Sequence, residues 1–324
     1  MRFCMPPKPA PVADQPDSAL RRAVLLLGAL LPLRGWAQAA PGPIGVVFPD
    51  IGEPFRKVFI EIIDGIEDRA RMKVRGYPVS ATQDPAELSA TVKRNGIRVV
   101  IALGRQGLKA CTAVEAPVIV SGVSSVPDGE RQLGICLTPD PALLFAHLKN
   151  LMPAVRRVLI VYNPLNNEWL LKLAREAARA GGVELAPFEA RDLASAARQY
   201  ESALGGANGK HDALWLPIDA TTVDESTILP LVLRESWNRN VPVFSTSLLH
   251  VKRGALFALY PNNVDLGRNL ANLATATLAG EALPRGVTPL RDVLSAVNLR
   301  TASHLGVMLS PRVLRSFNFL YPEP

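Results

Sequence analysis

The apolar positions of this chain alternate between short continuous runs and longer stretches with helical spacing. Runs such as Ile44–Phe48 and Val99–Leu103 contain no polar side chain, which is typical of strands buried in a parallel sheet. Between such runs, large apolar residues recur three and four positions apart, the spacing that buries one face of a helix. Strands that alternate with helices in this way predict βαβ units, and hence an α/β protein with parallel sheets.

The alternation occurs twice, in two halves of similar organisation. The second half begins with a helix predicted for Pro141–Leu151, and the clearest helix near the carboxyl end covers Val264–Leu278. Thr221 and Asp224 have the spacing of a helix cap, so a helix is expected to begin there. Further strands are predicted at Val74–Val79, Pro117–Val120, Leu133–Leu137, Val158–Tyr162, Val183–Phe188, Ala213–Leu216, Val241–Phe244 and Val293–Val297.

Residues 1–39 have the pattern of a secretory signal peptide. Arg21 and Arg22 precede Ala23–Leu33, an apolar run of about eleven residues that is too short to cross a bilayer. Ala37–Ala39 supplies the small residues of a cleavage site. The sequence therefore predicts an exported protein of the periplasm, and it leaves open both the choice between general and twin-arginine export and the position of the start codon.

The charge of the chain argues against a nucleic-acid partner. The 324 residues carry a formal net charge of +7, but the predicted signal peptide contributes five basic and two acidic residues, so the remainder carries +4. A mild excess that is distributed over a mixed surface lacks the basic patch of a nucleic-acid-binding protein.

The sequence contains none of the common catalytic or metal-binding motifs. H-E-x-x-H, G-x-S-x-G, the P-loop and G-x-G-x-x-G are all missing. The four histidines are scattered, and only His250 falls near a loop expected to bind a ligand. We therefore expect a protein that is not an enzyme and that carries neither a cofactor nor a metal.

Two cysteines remain once the predicted leader is removed, Cys111 and Cys136. In an oxidising compartment they form one disulfide if their Cα atoms come within about 7 Å. Otherwise they are two separate buried thiols, which is the interpretation favoured by the helix and the strand predicted for their positions.

Parallel α/β sheets bind ligands beyond the carboxyl ends of their strands. Six loops that are polar, aromatic and rich in turn residues follow the predicted strands. If the two halves face each other, these loops line one cleft that closes around a small molecule. The candidate ligand-binding residues in them are Phe48, Phe55, Arg105, Gln106, Ser124, Ser125, Tyr162, Asn163, Trp169, Asp219 and Ser247.

Most of these candidates also have a purely structural interpretation. Arg105 could be a solvated cation at the rim, and Asp219 could be no more than a cap before Thr221. The aromatic candidates could pack in a core instead of stacking on a planar ligand. Trp215 and Trp237 are expected in the core or on the surface of a lobe.

A series of short segments resembles one known family. Over about residues 44–320 the chain is similar to the ABC-transporter substrate-binding family that includes tryptophan- and tyrosine-binding proteins. The segments are Val161-Tyr162-Asn163-Pro164 with Asn166, Val241-Pro242-Val243-Phe244, Val251-Lys252-Arg253-Gly254-Ala255, Leu266-Gly267-Arg268, Leu278-Ala279-Gly280-Glu281, and Asn298-Leu299-x-Thr301-Ala302-x-x-Leu305-Gly306.

The resemblance implies the type I periplasmic binding protein fold, in which two Rossmann-like lobes with parallel sheets are joined by a three-segment hinge. The crossovers are expected near residues 138, 246 and 284. Lobe 1 would then contain residues 40–138 and 246–283, and lobe 2 would contain residues 139–245 and 284–324.

The chain departs from the family at positions that decide the ligand. Arg105 stands where the family has a small hydroxyl-bearing residue, and Ser247 stands where it often has an aspartate. Ser124-Ser125 replaces an acidic residue, whereas Asp219 matches the family's aspartate. Few acidic groups remain to bind an ammonium, and Arg105 is expected near a helix N-terminus, where an anion is favoured. We therefore expect a ligand that carries a carboxylate and is clamped by Arg105, with orientation by Asp219, Asn163 and Ser247.

The resemblance also implies how the protein works. It would be a monomeric solute-binding component that delivers a small, carboxylate-bearing or aromatic molecule to the membrane permease of an ABC importer. The alternative is a periplasmic sensory or accessory module of the same fold, which docks on a receptor. A thermal-shift screen of small molecules separates the two, because only the first hypothesis requires a ligand in the cleft.

Overall fold

A computed structural model of the chain describes residues 42–53, 55–124 and 131–323. The leader predicted for residues 1–39 and the candidate Ser125 lie outside these residues. In chain order the elements are β1 (Ile44–Pro49), α1 (Phe55–Ala70), β2 (Arg75–Val79), α2 (Pro85–Arg94), β3 (Val99–Leu103), α3 (Gly104–Ala110), β4 (Val118–Ser121), β5 (Leu133–Pro139), α4 (Pro141–Leu151), β6 (Arg157–Tyr162), α5 (Pro164–Gly181), β7 (Glu184–Glu189), α6 (Leu193–Gly205), β8 (Asp212–Leu216), α7 (Ile228–Asn238), β9 (Val243–Ser245), α8 (Leu248–Arg253), β10 (Phe257–Pro261), α9 (Asn263–Leu278), β11 (Gly286–Leu290), β12 (Val293–Asn298), α10 (Leu299–His304), α11 (Pro311–Leu314) and β13 (Phe319–Tyr321).

Two separate sheets divide these elements into two lobes, so the predicted α/β class is confirmed. Lobe 1 has six strands in the order β11-β5-β4-β3-β1-β2, and all neighbouring pairs are parallel. Lobe 2 has seven strands in the order β13-β12-β10-β9-β8-β6-β7. Its strands β6 to β10 are parallel, whereas β12 runs antiparallel to β10 and parallel to β13.

Capping residues explain where many of the helices begin. Asp84 and Asp140 each accept a hydrogen bond from the backbone N–H two residues later, and a proline follows each as the first helical residue. Asn163 caps α5 in the same way. The helix expected to follow Asp224 begins instead at Ile228, because Asp224 closes a turn through Ser226 and Thr227.

The chain changes lobes after β5, after β10 and after β11, and the second and third changes come later than expected. A crossover near residue 246 would place β10 in lobe 1, but Phe257 of β10 pairs with Phe244 of β9 in the lobe 2 sheet. A crossover near residue 284 would place β11 in lobe 2, but β11 pairs with β5 of lobe 1. The observed lobe 1 therefore runs to Pro139 and includes α9 and β11.

Hydrogen bonds join the three crossing segments where they run side by side. The backbone N–H of Asp140 donates to the carbonyl of Leu290 over 2.8 Å, and that of Asn262 donates to the carbonyl of Asp292 over 3.0 Å. Arg291 adds an ion pair to Asp140 at 2.6 Å. These bonds make the three segments one hinge between the lobes.

Each lobe has its own apolar core. In lobe 1, α1 and α9 pack over the sheet, and they approach so closely at Gly65 and Gly267 that a methyl group on Gly267 would collide with the carbonyl oxygen of Ile62. The core of lobe 2 includes Trp215, which is fully buried beside Phe145, as the sequence suggested for this tryptophan. The packing of both cores fixes where the strand ends lie.

The two cysteines are buried thiols that do not form a disulfide. Burial raises the pKa of Cys111 to about 12 and that of Cys136 to about 11. Neither thiol is therefore ionised at neutral pH, and both behave as small apolar side chains.

Candidate functional site

A cavity runs along α3 and β4 of lobe 1 and is bordered on one side by the start of α5 from lobe 2. Its volume is about 670 Å³, and its wall includes Arg105 of α3 from lobe 1 together with Leu165 and Asn166 of α5 from lobe 2. We call it the interlobe cavity. Because residues of both lobes line it, a molecule bound here would contact both at once.

The lobe 1 wall of the interlobe cavity combines apolar side chains with two cations. Arg105 and Lys109 are both exposed on α3, a helix of seven residues. Among the described residues, no carboxylate lies within ion-pair distance of Arg105. The apolar part of this wall includes Leu108, Val118, Val120 and Val123.

Asp219 is buried in the loop after β8 and accepts five hydrogen bonds from its own protein. Its Oδ1 accepts from the Thr221 N–H at 3.0 Å, the Thr221 hydroxyl at 2.6 Å and the Asn166 amide at 3.2 Å. Its Oδ2 accepts from the Asn163 N–H at 3.0 Å and the Asn167 amide at 2.8 Å. The carboxylate therefore ties the turn between β6 and α5 to the loop that follows β8.

These five bonds give Asp219 a structural role in lobe 2, and its contact with a ligand stays a prediction. Its acceptor positions are used within the protein, so a ligand ammonium would have to displace one of the five donors. Asn166, one of those donors, lines the interlobe cavity beside Arg105. Asp219 thus positions cavity residues, and a single side chain separates it from the cavity that Arg105 lines.

Asn163 and Ser247 both occupy helix N-cap positions, but only Asn163 caps with its side chain. Asn163 is buried, and its Oδ1 accepts from the Leu165 N–H while its amide donates to Thr221. Ser247 starts α8 without a side-chain cap. It lines a second cavity of about 590 Å³, which also includes Asp219.

The second cavity lies wholly in lobe 2, at the ends of β8 and β9. His250 lines it from α8, and burial, with a smaller contribution from Arg253, lowers the His250 pKa to about 4. The Nδ1 atom of His250 has no hydrogen-bond partner among the described residues. The imidazole is therefore neutral at pH 7 and leaves one ring nitrogen without a partner.

Three of the four aromatic candidates pack inside a lobe. Tyr162 is only 2% exposed, and burial, with Glu168 and Glu189 nearby, raises the pKa of its phenol to about 12. Trp169 packs against the same lobe 2 core, and Phe48 packs against the core of lobe 1. Tyr162 is therefore a core residue, whereas Phe48 and Trp169 are half-buried at the margins of the cores.

The remaining described candidates, Phe55, Gln106 and Ser124, are not among the lining residues of either cavity. Phe55 begins α1 and is 67% exposed, so its ring is accessible to solvent. Gln106 is half-buried on α3. Ser124 follows β4, and its carbonyl accepts a hydrogen bond from the Thr138 hydroxyl at 2.8 Å.

Residues that the sequence analysis did not select also line the two cavities. Leu165 is 88% exposed at the start of α5 although it is apolar, and Ile218 is partly exposed beside Asp219. Cys111, Thr112 and Gln132 also line the interlobe cavity. An apolar residue directly after a strand and its cap is the signal that could have identified Leu165, because such a position usually carries a polar side chain.

The described ranges show no metal site and no membrane span. Within residues 42–53, 55–124 and 131–323, no three His, Cys, Asp or Glu side chains are grouped as metal ligands would be. No helix in this part of the chain combines the length and the apolar character needed to cross a bilayer.

Similar solved structures share the two-lobed fold at low sequence identity. A ligand-free, open substrate-binding protein with adhesive properties from Clostridium difficile has a TM-score of 0.61 at 18% identity, with 85% of this chain and 98% of that chain covered. An ABC domain in complex with L-Trp from Streptococcus pneumonia has a TM-score of 0.55 at 19% identity, covering 86% and 98%. A periplasmic ribose ABC transporter from Conexibacter woesei has a TM-score of 0.53 at 15% identity, covering 88% and 100%.

These neighbours confirm the expected type I periplasmic binding protein fold. No curated protein sequence matches the chain. Residues 62–318 match the family described as ABC transporter substrate binding protein. The matched residues include most of both lobes. The match agrees with the resemblance in the sequence segments and with the hinge and cleft described above. The chain therefore belongs to the family of ABC transporter substrate-binding proteins.

Proposed function

We propose that this protein is the exported solute-binding component of an ABC importer, which holds a small molecule between its lobes and presents it to a membrane permease. The proposal places it in the periplasm as a monomer. The observation that carries it is the interlobe cavity, whose wall contains Arg105 from one lobe and Leu165 and Asn166 from the other. A ligand in this position favours the arrangement in which both lobes contact it, because those contacts stabilise it over a more open one.

The charges around the cavity support a ligand with a carboxylate. Arg105 and Lys109 supply cationic donors, and charge-assisted hydrogen bonds to a carboxylate are among the stronger polar contacts. The buried carboxylate of Asp219 is bonded to Asn166 of the cavity wall, and both of its oxygens already accept hydrogen bonds from the protein. An α-amino acid would therefore find a partner for its carboxylate more readily than for its ammonium.

The apolar part of the wall indicates that the rest of the ligand is apolar or aromatic. Leu165 projects an exposed side chain from lobe 2 towards a wall that includes Leu108 and Val120 of lobe 1. Closure over a flat or aliphatic group would remove these surfaces from water, at about 25 cal/mol per Å² of apolar area. Phe55 is an exposed ring near the same end of lobe 1 and is a further candidate contact.

A thermal-shift screen followed by calorimetry tests the proposal. The screen compares aliphatic carboxylic acids, aromatic carboxylic acids, amino acids, sugars and purines. A true ligand at a hundredfold excess over its Kd stabilises the fold by about 2.7 kcal/mol. A screen in which no compound raises the melting temperature would contradict ligand binding in the cleft.

Replacement of Arg105 then tests the predicted clamp. Arg105→Ala is expected to weaken binding of the identified acid about 10- to 100-fold, since a hydrogen bond to a charged group contributes about 1.5–3 kcal/mol. Arg94→Ala is the matched control, because Arg94 is an exposed arginine of lobe 1 on α2, outside the cavity lining. Equal affinity of Arg105→Ala and the control would remove Arg105 from the binding site.

The alternative function, a sensory or accessory module that docks on a receptor, predicts a silent ligand screen. It also requires a surface suited to a protein partner. Such a surface can be tested independently of the cleft.

A further inference from the structure

A third cavity of about 550 Å³ lies at the end of lobe 2 that faces away from the cleft. Its lining includes the carboxyl end of α7, the end of α8, the start of α10 and Tyr321. α7 and α8 lead into the amino ends of β9 and β10, whereas Asn298 ends the antiparallel strand β12. All of these segments therefore meet at the amino ends of the parallel strands. We call this cavity the base pocket.

The base pocket is lined by cations and by no acidic side chain. Four basic residues from three helices surround it: Arg234, Lys252, Arg253 and Arg300. In the described ranges, no carboxylate lies within ion-pair distance of Lys252, Arg253 or Arg300. The guanidinium of Arg253 donates to the backbone carbonyl of Glu225 at 2.6 Å, and an acidic partner would complement the charges of all three residues.

Aromatic side chains stand among these cations. Trp237 is 42% exposed, and its ring stacks on His304 with ring centroids 3.6 Å apart. Lys252 is held over the ring of Phe319, with its Nζ 5.3 Å from the ring centroid. Tryptophan, tyrosine and arginine are the residue types that most often dominate the binding energy of protein interfaces.

The floor of the base pocket has few free donors for a small anion. The amide of Asn298 donates to the carbonyl of Val251 at 2.8 Å, and the hydroxyl of Thr301 donates to the carbonyl of Gly254 at 2.9 Å. Both polar side chains of the floor are thus used internally. What remains available is the exposed cationic heads and the uncovered part of the Trp237 ring, which suit an extended acidic chain better than a compact ion.

We propose that the base pocket is a docking surface for an acidic segment of a partner protein. The pocket lies in lobe 2 alone, so its occupancy does not depend on whether the hinge is open or closed. The partner's carboxylates pair with Lys252, Arg253 and Arg300, and an apolar side chain of the partner rests on Trp237. This docking goes beyond the proposed solute binding, because it uses the opposite end of lobe 2.

A charge-reversal experiment tests the docking surface. Binding of a fluorescein-labelled octaglutamate peptide is measured by fluorescence anisotropy at about 50 mM salt, where screening is modest. The double variant Lys252→Glu/Arg300→Glu is compared with Lys172→Glu/Lys210→Glu, which makes the same charge change at exposed positions of lobe 2 outside the pocket. We expect at least a tenfold loss of affinity in the first variant and less than a threefold loss in the second.

Several results would overturn the proposal. One is that the unaltered protein shows no saturable binding of the peptide. Another is that the two double variants lose equal amounts of peptide affinity. Binding of citrate or pyrophosphate that depends on Lys252 and Arg300, without peptide binding, would identify a small-anion site instead. If charge reversal at the pocket prevents folding, Arg300→Gln and Trp237→Ala replace it, and each is expected to weaken peptide binding at least threefold.

Discussion

The hydrogen bonds of Asp219 lead to a specific prediction for Asp219→Asn. The replacement keeps the shape of the side chain but exchanges one acceptor oxygen for an NH₂ group. If the NH₂ takes the place of Oδ2, it faces two donors, the Asn163 N–H and the Asn167 amide. If it takes the place of Oδ1, it faces the donors of Thr221 and Asn166. Either orientation breaks at least two hydrogen bonds.

The magnitude follows from the burial of these donors. Asn163 and Asn167 are both buried, so an N–H that loses its acceptor there is not rehydrated. Each unsatisfied donor costs about 1–3 kcal/mol. The asparagine therefore turns its NH₂ towards the half-buried Thr221 and the exposed Asn166, where water replaces part of the lost bonding. The expected loss is about 1–3 kcal/mol in the free energy of unfolding, a noticeable part of the stability of an ordinary domain.

Urea unfolding followed by circular dichroism measures this loss, with Asp224→Asn as the matched control. Asp224 lies five residues further along, and all of its hydrogen bonds, from Ser226 and Thr227, go to Oδ1. An asparagine keeps that oxygen, so the control is expected to lose less than about 1 kcal/mol. Equal stabilities of the two variants would show that Asp219 does not hold the turn after β6.

Two further predictions concern the cores. His147 packs between Phe257 and Phe317, and burial lowers its pKa from the ordinary 6.5 to about 4. As pH falls below 6.5, the imidazole takes up a proton in the unfolded state but stays neutral in the folded state, so acid favours unfolding. Between pH 7.5 and pH 5, the unaltered protein is therefore expected to lose about 2 kcal/mol more of its free energy of unfolding than His147→Phe loses, as measured by urea unfolding. Equal losses would contradict a buried neutral imidazole. Gly267→Ala is expected to lower the free energy of unfolding by about 1–3 kcal/mol, because the added methyl group forces α9 away from α1. Gly181→Ala is the control, since Gly181 lies at a helix end in open space and its replacement is expected to change the melting temperature little. Similar melting temperatures of the two variants would refute the close approach of the helices.

Local pattern was sufficient to predict most of the strands and the parallel sheets. Val99–Leu103 is a strand over the predicted residues, since a continuous apolar run fits no exposed element. The lobe boundaries were not predictable in the same way. Nothing local distinguishes β10 from a lobe 1 strand, and its place depends on the pairing of Phe257 with Phe244, which lie thirteen positions apart in the sequence.

The candidate site was predictable as a set of loops but not as a set of contacts. Strand ends and caps placed Arg105, Asn163 and Asp219 in loops at the same edge of their sheets. Whether a side chain in such a loop faces a ligand or its own protein depends on its neighbours. Tyr162 and Asp219 both turned inward, because a helix covers the first and five donors surround the second.

The sequence by itself determined the alternation of strands and helices, the two halves, and the family segments, because each of these follows from the order of residues within one element or one short motif. Only the tertiary structure decided which lobe received β10 and β11, which polar groups were already satisfied, and which residues of the two lobes share a cavity. Those outcomes depend on pairing and packing between residues that lie far apart in the chain, and the free energy of such contacts is not contained in any local pattern.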